Sequence, residues 1–326
     1  MATFIEGRQW SLVTPLEWAL SDFEIKFTEG PERRTDSQIE ELIEKNWEKR
    51  QAERKQKGIF MEDPWPKTGY RGHTLDLAGR VLTLHVSPAN WKAMQGTHFN
   101  PEFFELMLKR YNGQSRTKLS SGNMHRNPNF QEFIRPYLDG ALGQCAAIKT
   151  AAGFPIGFRS DEVGVADNIW HVPGGYLPGI GEGIYKSEVP LIDGKPIVYK
   201  ERFTPDVESM KQNAIVNYYK ESGRRLNPLG AIVHYTGMMY ELPNHSMVIL
   251  SVVDSTLDAF GTNWEHDSMR HFRTSELPKL LGSPQEVLGG KILMGGEAAL
   301  ALAYSRENGL DGISDFSAVK QSPLHE

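Results

Sequence analysis

The stretch WHVPGGYLPG, residues 170–179, ends an apolar run with a Pro-Gly-Gly break and is the first place in this sequence where chemistry is expected. Adjacent glycines adopt backbone conformations that other residues resist, and they let a ligand or another segment approach the main chain closely. Gly174 and Gly175 are therefore candidate binding residues at the end of a predicted strand. The same pair also suits an ordinary turn, and the local sequence leaves both interpretations open.

The sequence lacks the motifs that mark several large enzyme classes. It has no H-E-x-x-H spacing, no P-loop and no G-x-S-x-G elbow. The glycines of GYLPGIGEG lack the strand-turn-helix context of a dinucleotide fingerprint. Cys145 is the only cysteine, which excludes an intramolecular disulfide and a thiolate metal cluster and fits a reducing compartment.

The composition is that of an ordinary globular protein, with 39% hydrophobic and 24% charged residues among 326. A formal charge of −5 argues against a general nucleic-acid binder, which usually carries a broad basic face. Charged residues interrupt every apolar run near the N-terminus, so no signal-peptide core is expected, and no stretch approaches the ~20 apolar residues of a membrane span. We therefore expect a soluble, cytoplasmic protein with no membrane partner.

The elements that position the glycine pair fall into two predicted regions. Residues 1–135 are predicted to be α+β. The expected elements of this region are two short strands within 4–27, a charged helix over 36–58 capped by Asp36 or Ser37, a hairpin over 74–88, a helix from residue 101 and a polar loop or flap over 112–130.

Residues 136–326 are predicted to form an α/β sandwich with a long insertion at 176–204. The expected elements are a strand, turn and strand over 138–160, a strand before the glycine pair, a helix over 204–223 capped by Thr204 and stopped by Gly223, a hairpin over 229–255 and a closing helix.

The second region resembles a Nudix hydrolase domain, because a Gly-Gly at the end of a strand precedes a helix that is closed by glycine, and further strands follow. HFRTSELPKLL resembles the segment after the last strand of that fold, and VLTLHVSPANWKAMQGTHFN resembles a stretch of the UDP-glucose and UDP-galactose pyrophosphatase branch. The resemblance implies a Nudix-type α/β/α sandwich with an N-terminal α+β extension. It also implies a nucleotide or nucleotide-sugar ligand and a Mg²⁺ or Mn²⁺ cofactor.

The family motif is G-x5-E-x7-R-E-U-x-E-E-x-G-U, where U is aliphatic, and its carboxylates hold Mg²⁺ against a diphosphate. When its last glycine is aligned on Gly223, Glu221 and Glu208 match motif glutamates and become the implied metal ligands. Glu221 is also the implied catalytic carboxylate. Asn217 and Lys220 replace two other motif glutamates, so the box is degenerate.

Lys220 has three open interpretations. Its ammonium group would repel a divalent ion at the usual place, it could pair with the diphosphate in place of part of the metal's charge, or it could belong to an exposed helix end.

The resemblance assigns roles to other residues as well. The glycine pair would face the phosphates, and Arg159 would hold a phosphate or sugar unless it forms a surface ion pair with Asp161 or Glu162. Glu241 would contribute a catalytic carboxylate from a loop across the pocket.

Two functions follow from these assignments. One is metal-dependent hydrolysis of the diphosphate in a nucleoside diphosphate sugar such as UDP-glucose. The other is a catalytically impaired Nudix protein that acts as a nucleotide sensor or binds a protein partner, and the degenerate helix favours this second function.

Overall fold

The structure is a computed structural model that describes residues 4–6, 9–56, 65–159, 169–182, 191–192, 195–196, 202–222, 231–242, 245–256, 266–309 and 320–322. The α-helices of these residues are α1 (Ser37–Gln56), α2 (Trp91–Thr97), α3 (Pro101–Gln114), α4 (Pro128–Ile134), α5 (Val207–Ser222), α6 (Leu277–Gly282), α7 (Pro284–Leu288) and α8 (Met294–Asn308).

The strands of the same residues are β1 (Phe4–Glu6), β2 (Trp10–Leu12), β3 (Glu24–Glu29), β4 (Pro66–Asp76), β5 (Val81–Asn90), β6 (Gly143–Lys149), β7 (Phe154–Arg159), β8 (Trp170–His171), β9 (Gly174–Tyr176), β10 (Leu191–Ile192), β11 (Lys195–Pro196), β12 (Ile232–Glu241), β13 (Met247–Asp254), β14 (His266–Phe272) and β15 (Lys320–Ser322). Short 3-10 turns complete the backbone.

Side-chain caps explain where several helices begin. Asp36 Oδ1 accepts from the backbone N–H groups of Gln38 and Ile39, so Asp36 is the cap of α1. The predicted cap of α5 was wrong, because Asp206, not Thr204, accepts from the backbone N–H of Ser209. The predicted stop signals at residues 58 and 223 lie outside the described residues.

The predicted loop over 112–130 is partly helical. Helix α3 extends to Gln114, a 3-10 turn covers Met124–Arg126, and α4 begins at Pro128. Asn127 caps α4 by accepting from the N–H of Phe130, a local signal that the polar composition of the segment obscured.

The predicted α/β/α sandwich is confirmed by the main sheet, whose strand order is β15-β1-β2-β12-β13-β6-β9. Strands β13 and β6, which precede the edge strand β9 in this order, run parallel to each other and are buried on both faces. Cys145 and Ala147 of β6 pack on the side of α8, whereas Ala146 and Ile148 pack on the side of α5. Because successive side chains of β6 point to opposite faces of the sheet, this one strand packs against the helices on both sides.

Strand pairings and one hydrophobic cluster cross the predicted boundary at residues 135 and 136. Strand β2 pairs with β12, so the first strands complete the main sheet. The second sheet, β3-β5-β4, shares a hydrophobic cluster with α5 and the main sheet. Isolated bridges also join Gly69 to Ala141 and Lys67 to Pro178. These pairings connect segments far apart in the chain, which is why local composition did not indicate them.

A hydrogen-bonded histidine pair joins the helices of the first region to the β12–β13 hairpin. His125 Nδ1 lies 2.9 Å from His245 Nε2, and the other ring nitrogen of His245 bonds the Tyr240 hydroxyl. The Phe104 ring contacts both imidazoles. Burial lowers the pKa of both histidines, and the charges of His125, His98 and Arg135 lower the pKa of His245 further.

Acidification should therefore destabilise the fold. Because the pKa of His245 in the folded chain lies below the ordinary value of about 6.5, the unfolded chain binds more protons as the pH falls through that value. We expect the free energy of unfolding, measured in urea, to decrease from pH 7 to pH 5. His245→Asn removes the titrating ring at a position with φ 56°, which asparagine tolerates, and should make this decrease shallower. An unchanged slope in the variant would contradict the assignment.

Candidate functional site

The two glycines of β9 have different surroundings. A Cβ atom on Gly174 would lie 2.6 Å from the backbone oxygen of Gln144 and 2.9 Å from Cys145 Sγ, so close strand packing requires glycine there. Gly175 is exposed, and a Cβ atom at this position would meet only the Asn217 side chain, with Nδ2 at 3.5 Å. Gly174 therefore serves the fold, whereas Gly175 leaves an exposed surface without a side chain beside Asn217.

Strand β9 is an edge strand of the main sheet in the described part of the chain. Its inner edge pairs with β6, with Gln144 opposite Gly175. An edge strand presents backbone N–H and C=O groups along its outer side, and these groups can bind a polar ligand. The Asn217 amide adds a side-chain donor beside this strand.

Amide side chains line the side of α5 that faces β6 and β9. The Gln144 side chain donates to the backbone oxygen of Met210 at 3.1 Å and accepts from Asn213 Nδ2 at 3.0 Å. Asn217 follows Asn213 by one helical turn and contacts Gly175. The helix is thus anchored to the sheet by neutral hydrogen bonds next to the glycine pair.

The two implied metal ligands do not come together. Glu208 is exposed in the first turn of α5, and Glu221 lies in its last turn. The ends of this 16-residue helix are about 20 Å apart, whereas both oxygens would have to lie about 2 Å from one Mg²⁺ ion. One ion therefore cannot bind both residues. The side chains of Lys220 and Glu221 lie outside the described part, so their individual roles stay predictions.

Glu241 lies elsewhere than predicted. It ends β12, is buried, and donates its backbone N–H to the Ser246 oxygen at 2.8 Å. Because Met239 on the same strand packs in the cluster with α8, alternation places Glu241 on the α8 side of the sheet, opposite α5. It is also three strands from β9, about 14 Å at the usual spacing. Glu241 is therefore not a loop carboxylate facing α5.

Tyr176, which the sequence reasoning missed, connects Glu241 to the glycine strand. Its hydroxyl hydrogen-bonds Ser246, while burial and the charge of Glu241 raise the pKa of Tyr176 far above its usual value. The hydroxyl therefore stays protonated and can donate. The signal was its position immediately after Gly175, but only the fold brings Ser246 and Glu241 near it.

Arg159 ends β7 and is half-buried. Its charge lowers the pKa of Tyr176, the last residue of β9. Its Nε atom is buried and makes no hydrogen bond within the part of the chain that the structure describes. The alternative partners Asp161 and Glu162 lie outside that part. The binding role of Arg159 therefore stays a prediction.

The side chains of the described residues do not match a site that holds a metal ion against a diphosphate. Within the described ranges, no three histidine, cysteine, aspartate or glutamate side chains are arranged to hold a metal ion. Next to Gly175, the described side chain of α5 is the Asn217 amide, and Mg²⁺ usually needs carboxylates there. Among the same residues, no helix has both the length and the apolarity to cross a membrane.

Comparison with known proteins gives weak similarities to nucleotide hydrolases. No family model and no curated protein sequence matches this chain. Among solved structures, a MutT protein from Methanosarcina mazei Go1 is 16% identical with a TM-score of 0.30 over 52% of this chain and 95% of that chain. An ADP-ribose pyrophosphatase from Streptococcus suis is 13% identical, with a TM-score of 0.29 over 52% and 93% of the two chains.

A UDP-X diphosphatase is likewise 13% identical, with a TM-score of 0.26 over 64% of this chain and 80% of that chain. At scores of this size, the fold assignment rests on the sheet order and packing of this chain alone.

Replacing each of the two glycines by alanine tests whether their surroundings differ in packing. Gly174→Ala should lower the free energy of unfolding by about 1–3 kcal/mol, because its methyl group must displace the backbone of β6. Gly175→Ala, the matched control, should change it by less than about 1 kcal/mol, since the new methyl group makes only ordinary van der Waals contact with the Asn217 side chain. Urea unfolding at neutral pH measures both, and equal losses would refute the distinction.

Proposed function

We propose that this chain is a Nudix-type protein that binds a nucleoside diphosphate sugar, such as UDP-glucose, at the edge formed by β9 and α5. The observation that carries the proposal is the exposed position of Gly175, where no side chain covers the sheet, with the Asn217 amide beside it. Packing does not explain a glycine at 175, whereas close approach of a ligand does. The family resemblance and the weak similarity to nucleotide hydrolases point to the same ligand class.

The charges near β9 suit a diphosphate. Backbone N–H groups of an edge strand can donate to phosphate oxygens without adding charge. Asn217 adds a neutral donor, and the Arg159 guanidinium, whose Nε has no partner among the described atoms, would offset part of the negative charge.

Binding with impaired hydrolysis is the function that the described side chains support best. A Nudix hydrolase concentrates carboxylates on the helix beside its glycine pair, whereas α5 presents Asn213 and Asn217 toward β6 and β9. Neutral amides give a divalent ion less electrostatic stabilisation than carboxylates do. The chain would then act as a nucleotide sensor.

Metal-dependent hydrolysis is the second candidate, favoured by one observation. Glu221 follows Asn217 by one helical turn, so its backbone lies one turn beyond the contact with Gly175. In this reaction, water would attack one phosphorus atom of the diphosphate while the bond from that phosphorus to the bridging oxygen breaks. The bridging oxygen would leave with the bonding electron pair as part of the second phosphate, and a carboxylate would take the proton of the water. Mg²⁺ or Mn²⁺ would supply charge stabilisation.

Calorimetric titration with UDP-glucose tests binding. We expect saturable binding without added metal and a loss of about fivefold in affinity for Asn217→Ala, the contribution of one hydrogen bond. Glu208→Gln, at the exposed far end of α5, is the control and should bind like the wild type. If UDP-glucose and other nucleoside diphosphates fail to bind the folded protein, the proposal is wrong.

Turnover of UDP-glucose across Mg²⁺ and Mn²⁺ concentrations separates the two candidates. We expect no phosphate-bond cleavage above background. Metal-dependent turnover that is lost in Glu221→Gln and kept in Glu208→Gln would instead establish the hydrolase and make Glu221 part of its machinery.

A further inference from the structure

A cavity of about 260 Å³ lies beside the second sheet, β3-β5-β4, and none of the residues that line it belongs to β9 or α5. Its walls include Arg33, Arg71, Pro88, Ala89 and Asp139. Since a water molecule takes roughly 30 Å³ of the liquid, the cavity has room for roughly nine waters or a ligand of about that many heavy atoms.

The fold makes a specific place for Arg71 in the wall of this cavity. The register of β4 against β5 shifts between Tyr70 and Gly72, so Arg71 is the extra residue of a β-bulge, a distortion that redirects a side chain. A Cβ atom on Gly69 would lie 3.0 Å from both Nη atoms of Arg71, so glycine leaves the space that the guanidinium group occupies.

Arg71 keeps one N–H group without an acceptor. Its side chain is 3% exposed, and Nη2 forms an ion pair with Asp139 Oδ1 at 3.1 Å. Nη1 donates to the backbone oxygen of Tyr70 at 3.1 Å. Nε is buried and has no hydrogen-bond partner among the described atoms. A buried donor without an acceptor is costly, so an oxygen atom bound beside Nε would be stabilised.

Arg33 brings a second guanidinium group to the same cavity. Its Nη2 pairs with Glu40 at 2.6 Å, and its Nη1 is buried without a partner in the described part of the chain. The Arg33 side chain is 15% exposed, so an entering ligand meets it before Arg71. Burial lowers the pKa of Arg71 and the Arg33 charge lowers it further, against the opposing effect of Asp139. The two cations therefore repel each other, and an anion bound to both would relieve this repulsion.

The charges of the lining residues favour a ligand with a single negative charge. The two arginines are balanced by Asp139 and by the exposed Glu32, so the cavity has no excess positive charge to hold a dianion. Pro88 and Ala89 add an apolar surface to the wall. A carboxylate group on a small apolar body matches both features, because its two oxygens can each accept from one guanidinium group.

We propose that this cavity is a binding site for a small monocarboxylate, with its oxygens on Arg33 and Arg71 and its apolar part against Pro88 and Ala89. The site would bind its ligand whether or not a nucleotide binds beside Gly175.

Calorimetric titration with sodium benzoate and with benzamide tests this site, because the two probes have nearly the same shape and differ in charge. We expect saturable binding of benzoate and at least about tenfold weaker binding of benzamide, the difference made by charge-assisted hydrogen bonds. Arg33→Ala should weaken benzoate binding by a similar factor. Arg33→Lys keeps the charge beside Glu40 but lacks the guanidinium fork, and it should weaken binding several-fold.

Arg34→Ala is the matched control, because Arg34 is the next residue, is exposed and does not line the cavity. Glu40→Gln removes the ion pair of Arg33 and leaves its guanidinium group in place, so both variants should bind benzoate at least as tightly as the wild type. The site is refuted if the folded wild type fails to bind benzoate, or binds benzamide equally well, or if both Arg33 variants keep the full affinity. Tighter binding of inorganic phosphate than of benzoate would overturn the assignment to a monocarboxylate.

Discussion

Close packing around Cys145 is the constraint on which the rest of the structure depends. This side chain lies on β6, at the centre of the sandwich, and glycines approach it from two elements. A Cβ atom on Gly174 of β9 would lie 2.9 Å from its sulfur, and one on Gly295 of α8 would lie 2.6 Å from it. Larger residues would push either element away, so these glycines fix how closely β9 and α8 approach the sheet.

The opposite face of β6 is held by polar contacts. Gln144 points toward α5 and bonds both its backbone, at Met210, and its side chain Asn213. One strand therefore uses alternate residues to place an apolar helix on one face and an amide-lined helix on the other. Because buried amides are costly unless they are paired, this network also fixes the rotation of α5 and brings Asn217 to Gly175.

The candidate site is the outer rim of this arrangement. Packing accounts for Gly174, whereas Gly175 leaves an exposed position beside the Asn217 amide. Asn213 and Asn217 line the side of α5 that faces β6 and β9, so this helix presents neutral amides next to the glycine pair.

The sequence by itself determined the local elements and the α/β class. Caps such as Asp36, the alternation of β12 and β13, and the replacement of a motif glutamate by Asn217 are all readable over a few residues, because hydrogen bonds and side-chain periodicity act at short range. Asn217 could also be recognised from the sequence as a departure from the family motif. The sequence did not show that the Asn217 amide lies beside Gly175.

Only the tertiary structure decided which of these residues meet. The pairing of β2 with β12 joined segments from the two sides of the predicted boundary, and the continuous helix α5 separated Glu208 from Glu221. Alternation placed Glu241 on the face of the sheet opposite α5. Each outcome depends on contacts between segments that are distant in the sequence. Burial in the core stabilises these contacts, and a local sequence pattern does not indicate which segments will meet.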